Sequence, residues 1–357
     1  AYQTAYLKTH YASSFIAASM SADMNNTDNV HLLFDDCSRN KVELLPPNIN
    51  QSQYKFVTVN QDQILYGLGA LKGSGQIAIE EILQERKENG PFKSLFDFTS
   101  RLDLRKVNRR VIESLIKAGA FDEIEKNRAS LLASIGLAIN FADQANANVG
   151  QNNLFEASEE QAVELVSVES WDTQKQLLEE KEALGFYFSG HPFTYYKKMI
   201  REFIPTKLSE LTPRESPYLV AGIISDVRFK MTSRGKIAII TLDDSEGRMD
   251  MVVGSKVLND FYELIKEDQL LFVEGRVSHD DFTGGNRINV IKAFDLLSIQ
   301  STKAQLLKIT LDKQANPDVL KNLLKPFCNG AFGADIKKCR VKVEYQNQQG
   351  KVELILG

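Results

Sequence analysis

The 357-residue sequence predicts a multidomain chain of mixed α and β structure: a helical region, then a small β-barrel, then a small α+β domain. Three observations predict it. The length exceeds what a single compact core usually holds, so roughly two to four domains are expected. Apolar residues recur at helical spacing through much of the first 141 residues and at strand spacing after residue 217. Between these regions, residues 142–170 are poor in large apolar side chains and rich in Ala, Asn, Gln and Glu, a linker composition.

The composition narrows the class further. Hydrophobic residues make up 43% and charged residues 25%, as in ordinary globular proteins. No apolar run is long enough to span a bilayer, and Ala1–Tyr6 lacks the layout of a signal peptide. Cys37, Cys328 and Cys339 form no Cys-x-x-Cys pair, so neither a zinc site nor a disulfide framework is expected, and a reducing cytoplasm fits. The four histidines, His10, His31, His191 and His279, are scattered, so no metal site is expected. The net charge is −4, but charge is segregated. Arg101–Arg110 carries Arg101, Arg105, Lys106, Arg109 and Arg110 against Asp103, while residues 156–169 are acidic. A basic face on an acidic chain is therefore expected.

In chain order, Leu7, Tyr11, Phe15 and Ala18 recur at helical spacing, and Asn26 or Thr27 is placed to cap a second helix through Leu32, Leu33 and Cys37. Leu45-Pro46-Pro47-Asn48 breaks it. Tyr54–Val59 and Gln63–Tyr66 flank Asn60-Gln61-Asp62 as a hairpin, and helical sequence follows from about Gly69 to Phe141. After the linker, a helix is expected at Thr173–Leu184. Five strand-like runs come next: Tyr218–Arg228, Ile237–Leu242, Met249–Val253, Leu270–Val277 and Arg287–Leu297, with a helix at Lys256–Ile265. That order is the signature of an OB-type barrel. The tail reads as strand Leu306–Leu311, helix Pro317–Leu324 and strands Arg340–Tyr345 and Lys351–Leu356, the front of a small α+β domain.

The most informative local pattern is Leu68-Gly69-Ala70-Leu71-Lys72-Gly73-Ser74-Gly75-Gln76, followed by Ile79 and Ile82, which resembles a helix-hairpin-helix. Glycines permit positive φ and close approach of a ligand. Their N–H groups and the following helix N-terminus make an anion site that grips a DNA phosphate without reading sequence. The plainer reading is a helix–helix turn with glycine caps. Lys72, Gly73, Ser74, Gly75 and Gln76 are the candidate contacts. A second helix, Val107–Phe121, has an apolar face of Val111, Leu115 and Ala118, a cap at Gly119, and Asn108, Arg109 and Arg110 at its start as further DNA contacts or a solvated charged turn.

Gln151-Asn152-Asn153-Leu154-Phe155 places two large apolar residues in the polar linker, where they gain nothing unless a partner buries them. The pattern resembles a sliding-clamp-binding peptide, with Gln151 at the pocket rim and Leu154 and Phe155 in an apolar pocket. In the barrel, Arg228, Lys230, Arg234 and Lys236 surround the first hairpin. Phe229, Phe272 and Phe282 are candidates for stacking single-stranded bases, or are core. Lys181–Pro192, with Ser189 and His191, lacks an acid partner and a nucleophile elbow, and reads as a packed helix end. No catalytic residue is assigned.

Tyr6-Leu7-Lys8 with His10-Tyr11, Leu45–Asn50, Tyr66–Gly73, Asn108-Arg109-Arg110, Leu184-Gly185 through His191-Pro192, and Asp280-Asp281-Phe282 occur in an order that resembles the alpha subunit of bacterial DNA polymerase III, across nearly the whole chain. The resemblance implies the end of a fingers domain at 1–52, a helix-hairpin-helix clamp-binding domain at 53–145, and a linker with the clamp peptide at 146–172. It further implies a helical connector at 173–212, an OB domain at 213–299, and part of a C-terminal domain at 300–357. That family's catalytic aspartates belong to a palm that no segment here matches. A noncatalytic part of a Mg²⁺-dependent polymerase is therefore expected, with no cofactor of its own and with DNA and the sliding clamp as partners. The clamp-loader tau subunit binds in a domain that continues past the last strand read here, so it is not assigned as a partner. A helix-hairpin-helix repair enzyme would need a catalytic constellation, and a tRNA-binding OB module leaves the hairpin and the pentapeptide unexplained.

Overall fold

The computed structural model describes residues 2–149, 164–201, 204–233, 235–279, 284–303, 306–311, 318–319, 322, 340–347 and 350–356. These fall into two compact units, Ala1–Pro192 and Phe193–Gly357.

The first unit opens with α1 (Tyr2–His10), α2 (Ala12–Ala22) and α3 (Thr27–Arg39). The apolar stripe expected from Leu7 through Ala18 does not form. The chain bends at Tyr11, which leaves Leu7, Tyr11 and Ala18 exposed, and α2 instead buries Ser13, Ile16, Ala17 and Met20. Ser13 is polar and Ala17 small, so an apolar-residue count under-reads that face. Asn26 caps α3, its side chain accepting from the Asn29 N–H at 3.2 Å.

Three short strands follow: β1 (Glu43–Leu45), β2 (Val57–Asn60) and β3 (Gln63–Leu65). β2 and β3 form the expected hairpin, shorter in its first arm than Tyr54–Val59. β1 pairs parallel with β3, a long-range pairing for which the Pro46-Pro47 break gives no local signal. The helical region is then α4 (Gln76–Asn89), α5 (Leu95–Arg101), α6 (Arg109–Lys117) and α7 (Arg128–Val149), preceded by one 3-10 turn at Leu68–Ala70. α8 (Thr173–Leu184) completes the core, and Ala183, Leu184 and Phe186 are buried with Ile79, Ile82, Ile112 and Leu115. The 173–212 stretch therefore divides between the two units.

Two features fix α6 and α8. Gly119 follows the last turn of α6 at φ +84°, and a Cβ there would collide with the Arg128 guanidinium. Arg128 donates to Asp122, to the Lys117 carbonyl and, at 2.8 Å, to the fully buried carboxylate of Glu180. Glu180 also accepts from the Ser189 N–H at 3.0 Å and the Ser189 hydroxyl at 2.8 Å. Ser189 thus serves packing, as its sequence context suggests.

In the second unit, α9 (Pro192–Arg201) leads into a closed barrel of β4 (Tyr218–Thr232), β5 (Gly235–Asp243), β6 (Arg248–Val253), β7 (Leu270–His279) and β8 (Asn286–Phe294). The order is β4-β5-β6-β8-β7, with β6 and β8 parallel and the other pairs antiparallel, the OB arrangement. Strand alternation sends Val220, Ile224, Ala238, Ile240, Leu242, Met251 and Val273 into the barrel. α10 (Ser255–Phe261) continues as a 3-10 turn at Tyr262–Leu264. β8 stops at Phe294, and Leu296 and Leu297 begin α11 (Leu296–Lys303) instead of ending the strand. Residues from α9 and α11 cover the outside of β4 and β7: Phe193, Ile200 and Ile299 pack on Ala221, Ile223 and Phe272.

Asp244 in the β5–β6 turn is fully buried. It accepts from Arg201 at 2.7 Å and from the N–H groups of Leu208, Glu246 and Gly247. The tail forms a three-stranded sheet of β9 (Leu306–Leu311), β10 (Arg340–Asn347) and β11 (Gly350–Leu356), in the order β11-β10-β9. The helix expected at Pro317–Leu324 lies largely outside the described residues.

Candidate nucleic-acid interface

The hairpin between the 3-10 turn and α4 is held from three sides. The Lys72 N–H donates to the Ala183 carbonyl at 2.8 Å, and the Lys72 carbonyl accepts from the Ser114 hydroxyl at 2.7 Å. Ser74 donates to the carbonyls of Leu71 and Leu68 at 2.7 and 3.0 Å, which turns its hydroxyl inward. Gly73 sits at φ +81°, the left-handed region that favours glycine. Gly75 is the N-cap of α4 with no side-chain cap, and nothing stands within 4 Å of where its Cβ would lie. The N–H groups of Gly75, Gln76 and Ile77 at this helix start have no acceptor among the described residues. Open space, free donors and the positive end of a 14-residue helix coincide here.

The expected basic residues distribute unevenly around that point. Arg110 on α6 lies beside Gly73, its Nε 3.4 Å from a Gly73 Cβ position, exposed and without an ion-pair partner among the described residues. Lys72 is likewise exposed and unpaired among them, its stem running beside Gly185. Arg109 is paired along its own helix with Glu113 at 2.8 Å. Asn108 is the N-cap of α6, accepting from the Val111 N–H at 3.2 Å. Gln76 donates to Glu80 at 2.7 Å, so its contribution to the free edge is its backbone N–H. Of the basic stretch Arg101–Arg110, Arg101 turns inward to Glu85 at 2.9 Å and over the Phe92 ring at 4.5 Å, and Lys106 pairs with Glu81 at 2.6 Å.

On the barrel, the candidates occupy two opposite faces of the β4–β5 ribbon. Arg228 pairs across with Ile239 and Lys230 with Ile237 on the outer face. There Arg228 is held by Asp226 at 2.7 Å and reaches Asp250 at 3.8 Å. Phe229, opposite Ala238, and Lys236, opposite Met231, face the other way. The Lys236 ammonium stands 4.2 Å from the Phe229 ring centre and 5.5 Å from that of Tyr262. Phe272 is fully buried under α9 and α11, which removes it from the stacking candidates, because strand alternation turns it outward with Ala221. Tyr262 was absent from the sequence-derived set, since it lies on the helical connection and only the fold brings it to Phe229. Arg234 and Phe282, and the linker residues Gln151, Leu154 and Phe155, lie outside the described residues.

A glycine hairpin opening a helix, joined in one chain to an OB barrel, defines the class of multidomain proteins built from modules that hold nucleic acid. The helix-hairpin-helix motif family matches residues 41–131, and the OB-fold nucleic acid binding domain family matches residues 218–299. The chain belongs to the family of DNA polymerase III alpha subunits. It is 43% identical over 304 residues to DNA polymerase III subunit alpha of Neisseria meningitidis serogroup A, covering 85% of this chain and 26% of that protein. It is 38% identical over 369 residues to the Vibrio cholerae protein and 37% identical over 370 residues to the Escherichia coli K12 protein, each covering 100% of this chain and 31% of the relative. The chain thus spans less than a third of the length of these relatives. Among the described residues no helix is long and apolar enough to cross a membrane.

Proposed function

We propose that this chain is a DNA-holding, clamp-tethering region of a replicative polymerase and that template-directed synthesis is carried out elsewhere in the parent protein, with Mg²⁺. The observation that carries the reading is the hairpin at Gly73–Gly75, where backbone donors at a helix start sit beside Lys72 and Arg110, and among the described residues neither these donors nor the two basic side chains have a partner. Such a site takes a phosphate of duplex DNA, and because it touches no base edge it binds any sequence. The Gln151-Asn152-Asn153-Leu154-Phe155 pattern supports a sliding-clamp contact. The barrel, matched to a nucleic-acid-binding family, supports a path for single-stranded template.

The test is duplex binding measured across a salt series. Affinity falls steeply with salt if phosphate contacts dominate, since each neutralised phosphate releases counterion. Gly75→Val is the decisive variant. Gly75 has φ −73° and open space around it, so valine fits the fold while covering the N–H edge. A folded Gly75→Val chain that binds duplex unchanged would reduce the hairpin to a packing device.

A further inference from the structure

Packing accounts for most of the segment that follows α8. Phe186 is buried against His31 and Phe34, and Phe188 packs on Phe34 and Tyr66. Ser189 is bound to the buried Glu180 carboxylate. Tyr187, between the two phenylalanines, is left out of that core. It gathers two basic side chains instead. The Lys181 ammonium stands 5.3 Å from the Tyr187 ring centre, and the His191 ring meets it edge-on at 5.8 Å. A cation over a ring face is held in place without being neutralised.

This cluster adjoins the glycine hairpin. Gly185 lies one turn after Lys181 on the same stripe of α8, its N–H donating to the Lys181 carbonyl at 2.7 Å. The Lys72 stem runs beside Gly185, and the Lys72 N–H donates to the Ala183 carbonyl at 2.8 Å. Lys181 and the Lys72 stem therefore flank the same end of α8. The carboxylates of α8 turn elsewhere: Glu180 to Arg128, and Glu179 and Glu182 to Lys117 at 2.8 and 2.7 Å. On α3, Asp35 faces His31, and Asp28 is exposed beside the Thr27 that meets Gly185. Lys72 and Lys181 together outweigh that one carboxylate.

We propose that the end of α8 is a second phosphate contact for the duplex seated on Gly73–Gly75, with Lys181 on the phosphate, Tyr187 positioning its ammonium and His191 bracing the ring. This rests on the reading that the hairpin takes duplex DNA. A strand offers one charge per ~3.4 Å of duplex axis, so the two contacts fall within a few nucleotides of each other. The test uses the full chain, a mixed-sequence duplex and an amine-acetylating reagent, with modified lysines read by mass spectrometry. Saturating duplex protects Lys72 and Lys181, but not Lys93 beyond the far end of α4. Lys181→Ala lowers affinity roughly eightfold at 0.1 M salt and the salt slope by about 0.9, the counterion share of one phosphate. Lys181→Arg restores the slope, and Tyr187→Phe stays within about twofold of the parent. Tyr187→Ala weakens binding, and adding it to Lys181→Ala costs nothing further, because the ring acts through the lysine. If Lys72 is protected and Gly75→Val weakens binding while Lys181 reacts freely and Lys181→Ala keeps the parental slope, the second contact alone is wrong. If neither lysine is protected and neither variant changes binding, the hairpin reading falls with it.

Discussion

Arg110 stands against Gly73, with its Nε 3.4 Å from the position a Cβ would take, although the two residues belong to different helical pairs. The contact joins the glycine hairpin and the start of α6 into one candidate phosphate site. Arg109, the neighbouring residue, faces Glu113 instead. Arg110→Ala is expected to weaken duplex binding by about 1 kcal/mol, roughly fivefold, and to lower the salt slope by about 0.9. Arg109→Ala should cost less than half of that. Fluorescence anisotropy at four salt concentrations distinguishes them, and equal losses would mean that α6 meets DNA through its whole first turn.

Gly73 and Gly119 both take positive φ, which makes valine or alanine at either position a fold-damaging change. Gly119→Ala also drives a methyl into Arg128. A loss of about 3 kcal/mol in the first unit is expected, read by urea denaturation. A variant within 0.5 kcal/mol of the parent, in order-of-magnitude terms that of a neutral surface change, would show that α6 can end differently.

Glu180→Ala leaves Arg128 and Ser189 without their shared buried acceptor. Because Arg128 retains Asp122, the loss should fall near the lower end of that for a broken buried pair, about 3 kcal/mol. Calorimetry should show the transition of the first unit shifting while that of the barrel stays in place.

The Glu246 carboxylate lies between Lys197 at 2.5 Å and Lys207 at 2.7 Å, and its hydrogen bonds to them hold its pKa down to about 2. A depressed carboxylate contributes stability that is present above its unfolded value of 4.5 and lost as pH falls toward 2. Glu246→Gln is therefore expected to melt slightly below the parent at pH 7 and to converge with it near pH 2. The difference stays small because the group is exposed. A gap that widens on acidification contradicts the pairing.

In the linker, Leu154→Ala with Phe155→Ala should remove most sliding-clamp affinity, since each side chain buried in a partner is worth roughly 1.5–3 kcal/mol before the cost of ordering. Gln151→Ala should matter less, because a rim hydrogen bond exchanges with water. Titration of purified clamp checks both, and an unchanged double variant would place the contact elsewhere.

Periodicity carried far in the barrel. Ala238, Ile240 and Leu242 alternate with exposed or half-buried neighbours, so β5 was legible, and the order of five strands around one helix gave the topology. The same period of two separates Arg228 and Lys230 from Phe229 and Lys236, yet grouping them by proximity in sequence obscured it. The hairpin was legible because two glycines in a helical context have few other uses. The Arg110–Gly73 contact, the β1–β3 pairing and the meeting of Tyr262 with Phe229 were not. Each joins residues distant in sequence through packing that leaves no local pattern.

After the linker, the chain returns to α7 before it continues. Val166 and Val168 donate their N–H groups to the hydroxyls of Ser134 and Ser130, at 2.8 and 3.1 Å, and Asn127 donates to the Val168 carbonyl at 2.8 Å. The stretch between Val149 and Glu164 therefore has both ends moored to the same body. Tension applied at either end of that stretch is borne by α7, through the hydroxyls of Ser130 and Ser134 and the side chain of Asn127, within the first unit.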